Sequence, residues 1–310
     1  MSHAADMLQG RAEVLKLARL LGLDPDQLAY LEPLPADDLR ALRDGITEVL
    51  YDGQGGSLRR LAAASRLLPA GLTAILGQRA FGPLLSARLA GMLDPDRAID
   101  VAGKLPPPFL ADVASELDPR RASALIGGLS PELIAAATAE LVARGEYVTM
   151  GRFVGHLSDP AVAAAVSAMD DRALLEVAFV LEDKDQVGRL LSRLPPARAA
   201  GIIRAAADGG LWVQALDLLK HLSARQRRDM AAAALALEDA ALQGVLEAVI
   251  EHELWDEALL IAEHDDTVTA RLVARLEAMP AKRRRAAAAR AREDGALDRL
   301  GVLGQALAGA

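Results

Sequence analysis

Three histidines recur at one place in a repeating pattern. Tyr147 precedes His156 by nine residues, Trp212 precedes His221 by nine, and Trp255 precedes His264 by nine. Imidazole can ligate a metal or move a proton near neutral pH, so a recurring histidine raises both possibilities. The pattern itself argues against them. Equivalent positions in stacked repeats form a row, with neighbouring helices about 8–10 Å apart, whereas zinc holds its nitrogen and oxygen ligands at about 2.0–2.2 Å. Each histidine also falls near the expected C-terminus of a helix, where a donor side chain suits the free carbonyls and the dipole. The structural reading is preferred. The densest acid–histidine group, Glu251-His252-Glu253 with Glu263-His264-Asp265-Asp266, flanks a single helix, Leu254 to Ala262. At 1.5 Å rise per residue its halves stand about 15–20 Å apart. No metal site and no cofactor are expected.

Other chemistry is equally thin. The chain has no cysteine, hence no thiolate nucleophile, disulfide or Cys-ligated metal. Asp52-Gly-Gln-Gly-Gly-Ser57 is rich in glycine, but no Lys-Ser/Thr follows it and no strand precedes it, so it is not a phosphate loop. No Gly-x-Ser-x-Gly or His-Glu-x-x-His motif occurs. The chain is expected not to be an enzyme. Trp212, Trp255 and Tyr147 could form an aromatic recognition ladder, but Trp212 continues the apolar stripe of Ala215, Leu216 and Leu219 and reads as core. Lys282-Arg283-Arg284-Arg285 with Arg290 and Arg292 makes one helix basic. Without interleaved aromatics for base stacking, and in a chain of net charge −8, it reads as a solvated face rather than a nucleic-acid surface.

One segment holds a sharper possibility. Between Asp52 and Asp94 no acidic residue occurs, although the whole chain has 43. This stretch carries Arg59, Arg60, Arg66, Arg79 and Arg88 among apolar residues such as Leu67, Leu72, Ile75 and Phe81. These arginines are the candidate contact residues for a membrane or partner, because a cationic, apolar element suits an anionic interface. The opposing reading is a buried helical hairpin with arginines at its rim. An exposed apolar patch would favour the first.

The elements that position these residues follow from composition and spacing. Of 310 residues, 52% are apolar but only 3% aromatic. Ala, Leu, Arg and Glu dominate, and all favour helix. Leu93, Leu105, Leu117, Leu129 and Leu141 stand twelve apart, and each of the first four is followed by Asp-Pro, Pro-Pro, Asp-Pro or Ser-Pro. A fixed period marks a repeat architecture. Each unit reads as a cap, a proline for the first helical turn and an apolar stripe, giving helices of about eight or nine residues that bury their faces by stacking. Leu105, Leu117 and Leu129 are expected at equivalent places in successive helices. A longer recurrence, LWVQALDLLKH against LWDEALLIAEH, begins at Leu211 and Leu254, 43 residues apart, and holds three helices per unit. The organisation expected is an N-terminal helical unit over 1–52, the acid-free segment 58–93, the twelve-residue repeats 93–145, longer repeats over 146–296, and a cap with a frayed end over 297–310. The N-terminus lacks signal-peptide character and no long uncharged apolar run occurs, so a cytoplasmic protein is expected, placed at the membrane surface if 58–93 is interfacial.

The recurring Leu-Asp/Ser/Pro-Pro signature, with Ala at the fifth or sixth place as in Leu93-Asp94-Pro95-Asp96-Arg97-Ala98, resembles the cytoplasmic N-terminal domain of MgtE-type magnesium transporters. FliG-type flagellar rotor proteins look similar for the same reason, and the longer copies are similar to HEAT and armadillo repeats. The resemblance covers about a third of the chain and implies a right-handed stack of short helices. It implies no ligand residue and no transport. The sequence as a whole reads as an all-α, right-handed α-solenoid that acts as a scaffold or adaptor for another protein. The alternative is a peripheral membrane or hydrophobic-ligand binder using residues 58–93.

Overall fold

The computed structural model describes residues 3–52, 55–65, 67–192, 194, 197–234, 238–262 and 266–309. All regular structure among them is helical. The chain opens with α1 (His3–Leu21), a 3₁₀ turn (Pro25–Leu31) and α2 (Ala36–Asp52). The 3₁₀ turn starts at a capping box. Asp24 accepts from the Asp26 backbone N–H, and the Gln27 side chain accepts from the Asp24 backbone. The acid-free segment breaks where proline and glycine dictate, into α3 (Gly55–Ser65), α4 (Ala70–Leu76), a π-helical turn (Gly77–Phe81) and α5 (Gly82–Ala90). Of the expected loop 52–57, Gly55–Ser57 already belong to α3, and 53–54 lie outside the described residues.

The twelve-residue units form α6 (Pro95–Ala102), α7 (Pro107–Glu116), α8 (Ser123–Gly128) and α9 (Pro131–Ala143). Three of them begin with proline, whose fixed φ and missing N–H suit that place. The fourth departs from the pattern. Asp118 is buried and receives the Arg120 backbone N–H at 3.2 Å, so Asp118-Pro119 makes a turn and α8 shrinks to six residues. The longer units follow as α10 (Tyr147–Phe153), α11 (Asp159–Ala168), α12 (Asp171–Phe179), α13 (Gln186–Ser192) and α14 (Ala197–Gly209). Then come α15 (Trp212–Leu219), α16 (Ala224–Ala234), α17 (Asp239–Glu251), α18 (Trp255–Ala262), α19 (Asp266–Ala278), α20 (Ala281–Glu293) and α21 (Val302–Ala308).

Twelve-residue neighbours do not stack directly. Helices pack on the next but one: α3 on α5, α4 on α6, α5 on α7, α6 on α8, α7 on α9 and α9 on α11. The chain therefore climbs in two interleaved rows, and two twelve-residue units make one structural step. The same next-but-one packing continues in the longer units, α10 on α12, α12 on α14, α14 on α16 and α17 on α19, and contacts three helices on are added there, α12 with α15, α15 with α18 and α16 with α19. The helices that begin at Trp212 and Trp255 are thus direct neighbours. Trp255 is buried and its indole N–H donates to Asp294 at 2.8 Å, whereas Trp212 is half-buried. Leu300, Leu303, Ala306 and Leu307 are buried as α21 packs on α19 and α20.

Charge ties the two N-terminal helices to the stack. Glu13, Lys16 and Arg43 are all buried. Lys16 pairs with Glu13 at 2.8 Å, and Arg43 Nη1 reaches Glu13 at 2.9 Å and Glu182 at 2.9 Å. Burial pushes Glu182 upward, but Lys16 and Arg43 outweigh it and hold its carboxyl below the usual range. Asp44, beside Arg43, pairs in turn with Arg120 at 2.7 Å. Leu8 and Ala12 of α1 join the main apolar core, which runs on to Leu307. Helices with such charges would read as solvent-facing from sequence; only the fold brings their partners in.

Candidate apolar binding site

The Leu-cap-Pro triplets set the site. Leu93, Leu105 and Leu129 each stand immediately before an N-cap residue, Asp94, Pro106 and Ser130. A hydrophobic residue there packs against the fifth residue beyond it, fixing how the chain enters the helix. Those partners are Ala98, Leu110 and Ile134, all buried. At Ser130 the hydroxyl accepts the Leu133 N–H at 3.3 Å. The expectation that Leu105, Leu117 and Leu129 lie inside successive helices is thus corrected. They occupy the connections, because the cap-and-proline pair puts the leucine outside the first turn. Leu117 is 7% exposed, Leu105 and Leu129 are half-buried, and Leu141 is buried within α9.

All five periodic leucines line one partly open cavity of about 140 Å³ between the two rows of helices. Its wall runs from Ser65 and Thr73 at one end to Met150, Val154 and Met169 at the other. The lining is apolar except for Ser65, Thr73, Ser86 and Thr138. The low aromatic content explains the space. Alanines such as Ala98, Ala102 and Ala137 face it where larger side chains would fill it. Apolar cavities of about this size stay dry and accept small apolar molecules. A second cavity of about 110 Å³ lies further along, lined by Trp212, Leu216, Met230 and Leu272 among others.

Residues 58–93 form one wall and also face solvent. Leu58, Ala62 and Leu89 are buried in a small core with Phe81 and Leu85. Leu61, Leu72, Ile75, Leu76 and Leu84 are exposed, and Leu67 is 88% exposed. The segment is thus neither a wholly buried hairpin nor a detached one. Arg60 and Arg79 are exposed and Arg88 is half-buried. Arg66 and the side chain of Arg59 lie outside what the structure describes. Arg97, which the sequence did not single out, stands behind the cavity's polar end. Its guanidinium donates to the Ser65 carbonyl at 3.3 Å, to the Leu68 carbonyl and to the Thr73 hydroxyl at 3.2 Å. Its partners lie about thirty residues earlier in the chain, so the unit Asp94-Pro95-Asp96-Arg97 carries no local signal for them.

The other titratable groups do not converge on this cavity. His156 Nδ1 lies 3.0 Å from Ser123 Oγ, and burial lowers its pKa. His221 is also lowered by burial, and its Nε2 has no hydrogen-bond partner among the described residues. His264, with Glu263 and Asp265, lies outside the described residues. Near His221, Lys220 pairs with the buried Asp217 at 2.5 Å and approaches the buried Glu257 at 3.9 Å. Burial raises the Glu257 carboxyl. Among the described residues no three His, Asp or Glu side chains are placed to share an ion, and no helix is long and apolar enough to cross a membrane. The basic helix α20 spends part of its charge on its neighbours. Arg283 pairs with Glu247 at 3.4 Å and Arg290 with Glu253 at 3.8 Å.

No family model, no curated protein and no solved structure matches the chain.

Proposed function

We propose that this chain is a non-enzymatic helical-repeat binding protein whose ligand is a small apolar molecule held between its helix rows. The observation that carries the reading is the cavity at which all five periodic leucines meet, walled on one side by the segment 65–93. Ligand sites are concave and mostly apolar, with a few polar groups to orient the ligand, and this lining fits that description. A right-handed solenoid of the kind seen in MgtE-type N-terminal domains is part of the same proposal. It is supported by the next-but-one helix packing and the Leu-cap-Pro signature. A cytoplasmic location belongs to it too, supported by the absence of cysteine.

A second reading keeps a protein partner, for which the chain would act as a scaffold or adaptor. The exposed Leu67, Leu72, Ile75 and Leu84 favour it, since apolar side chains gathered on one segment mark interaction surfaces. Nucleic acid is not part of either reading.

The test is a titration of the full chain with 1-octanol. A ligand bound only by the native state raises the melting temperature by mass action. The reading expects saturable binding and a rise in Tm, both abolished by Ala137→Leu, which fills the cavity from α9. Octanol binding that is absent, or unaffected by Ala137→Leu, overturns it.

A further inference from the structure

We propose that the chain forms a reciprocal homodimer, in which the outward face of α2 docks on the α4 end of a second copy. This goes beyond the cavity's ligand and gives the exposed apolar residues of the second reading an occupant. Three observations carry it. First, one end of the helix ladder is left apolar. α3 and α4 begin the two rows and pack on α5 and α6, while α2 packs on α1. At the other end α21 closes on α19 and α20. Terminal repeats ordinarily turn a polar face outward. Here Leu72, Ile75 and Leu76 of α4 are exposed, at the i, i+3, i+4 spacing of one helix face, with exposed Arg79 one turn on. Each row continues by adding a helix, so the shape that fits this end is a helix.

Second, α2 carries a matching face. Its buried side holds Leu39, Arg43 and Thr47. Its opposite side holds Asp38, Leu42, Gly45 and Val49 at 4-3-4 spacing, the pattern of a helix–helix seam, with Glu48 beside them. All five are exposed, Val49 at 76%. A Cβ added at Gly45 meets nothing within 4 Å, so packing within one copy does not call for glycine there. Glycine weakens a helix interior relative to alanine, but it lets another backbone approach closely. Third, the charges are complementary. Asp38 and Glu48 edge the α2 face, whereas Arg60 and Arg79 belong to the α3–α4 end, in a stretch with no acid from 53 to 93. None of these four side chains forms an ion pair with a described residue. Three residues separate Asp52 from Gly55, so α2 ends within about 11 Å of the start of α3. The two faces thus belong to adjoining parts of the molecule. Each can meet the other face of a second copy about a two-fold axis, which closes the assembly at two.

Sedimentation of the full chain over a range of concentrations reads its mass. The expected species has twice the 32.6 kDa of one chain and dissociates more readily at high salt. Two surface variants address the faces separately. Asp38→Lys with Glu48→Lys reverses α2, and Arg60→Glu with Arg79→Glu reverses the α4 end. Each should dimerise about tenfold more weakly than the native chain, because like charges then meet. Mixed in equal amounts, the two should form a heterodimer as tight as the native dimer, since the reversed faces then meet each other and so do the native ones. Should the reversals disturb folding, Val49→Asp alone, at an exposed site, should still leave a monomer. A native chain that stays monomeric, a mass that climbs past the dimer, or variants that pair as the native chain does overturns the proposal. So does a mixture that fails to restore pairing. A native monomer that binds anionic vesicles also overturns it and assigns the α4 end to a membrane surface. Octanol binding in the cavity is unaffected by any of these outcomes, so the ligand reading is tested apart from this one.

Discussion

Arg43 and Glu182 are 139 residues apart in sequence, and their side chains meet at 2.9 Å. The same guanidinium holds Glu13, so α1 and α2 are clasped to the connection after α12 by charges that sequence periodicity would place in water. Glu13 is the centre of this clasp, because it also takes Lys16 and Arg40.

Removing Glu13 should therefore be severe. Glu13→Ala leaves Lys16 and Arg43 buried, with the partly exposed Glu182 shared between them and Asp44 beside Arg43 as the remaining acids. Breaking a buried pair by deleting one partner costs about 3–5 kcal/mol. Urea denaturation should show a lower midpoint of that size, and an unchanged midpoint would mean that these charges are solvated in solution.

The leucine series separates two accounts of the repeat. If all periodic leucines were equivalent core positions, each alanine variant would cost the same. Leu117 is buried and Leu129 is half-buried, so Leu117→Ala should lose about 2–5 kcal/mol and Leu129→Ala less. Equal losses in thermal or chemical unfolding would contradict the placement of these residues in connections of unequal depth.

Much of the local structure was legible because it is written in adjacent residues. Pro95, Pro107 and Pro131 start helices where the cap-proline pairs placed them, and the glycines and prolines of 69–83 break the acid-free segment into short helices. The 3₁₀ turn after Asp24 was missed, although Asp24-x-x-Gln27 is a capping-box signal. What the chain order conceals is non-local. Nothing in a twelve-residue period says that a helix stacks on the next but one, or that Leu93 and Leu141 face one space. Nothing beside Lys16 points to Glu182, and nothing beside Arg97 points to the Ser65 and Leu68 carbonyls. In both cases burial and partner choice are decided by segments far along the chain.

Lys184 gives a pH signature with a definite sign. Burial is the largest influence on it and pushes its pKa down to about 8, outweighing the opposite pull of Asp217. Its ammonium caps α12 by donating to the Ala178 carbonyl at 3.3 Å and to the Phe179 carbonyl. An unfolded lysine titrates at about 10.4. Between these values the unfolded chain binds more protons, so this group makes the fold more stable as pH rises. Its penalty is fully present below about pH 8 and is relieved by about pH 10.4. The stability of Lys184→Met relative to the native chain should fall steadily across that window. A constant difference would show that Lys184 titrates as it does in water.

The exposed apolar residues of 58–93 should matter for binding and not for folding. Leu67→Ser and Ile75→Ser are expected to change stability by no more than about 0.5 kcal/mol, as surface substitutions do. If the segment meets an anionic membrane, Arg60→Glu with Arg79→Glu should weaken vesicle co-sedimentation, since each arginine contributes about 1 kcal/mol near such a surface. Pelleting that persists at high salt and in the double variant would remove these arginines from the contact.

The central claim is that the periodic leucines enclose a real apolar space. Diffraction from crystals held under xenon pressure tests it most directly, since xenon enters dry apolar cavities of this size. The account predicts a xenon atom among Leu105, Leu117 and Leu129, lost in Ala137→Leu. Well-ordered crystals of the native chain with no xenon at that place, their side chains closed over the space, would contradict it.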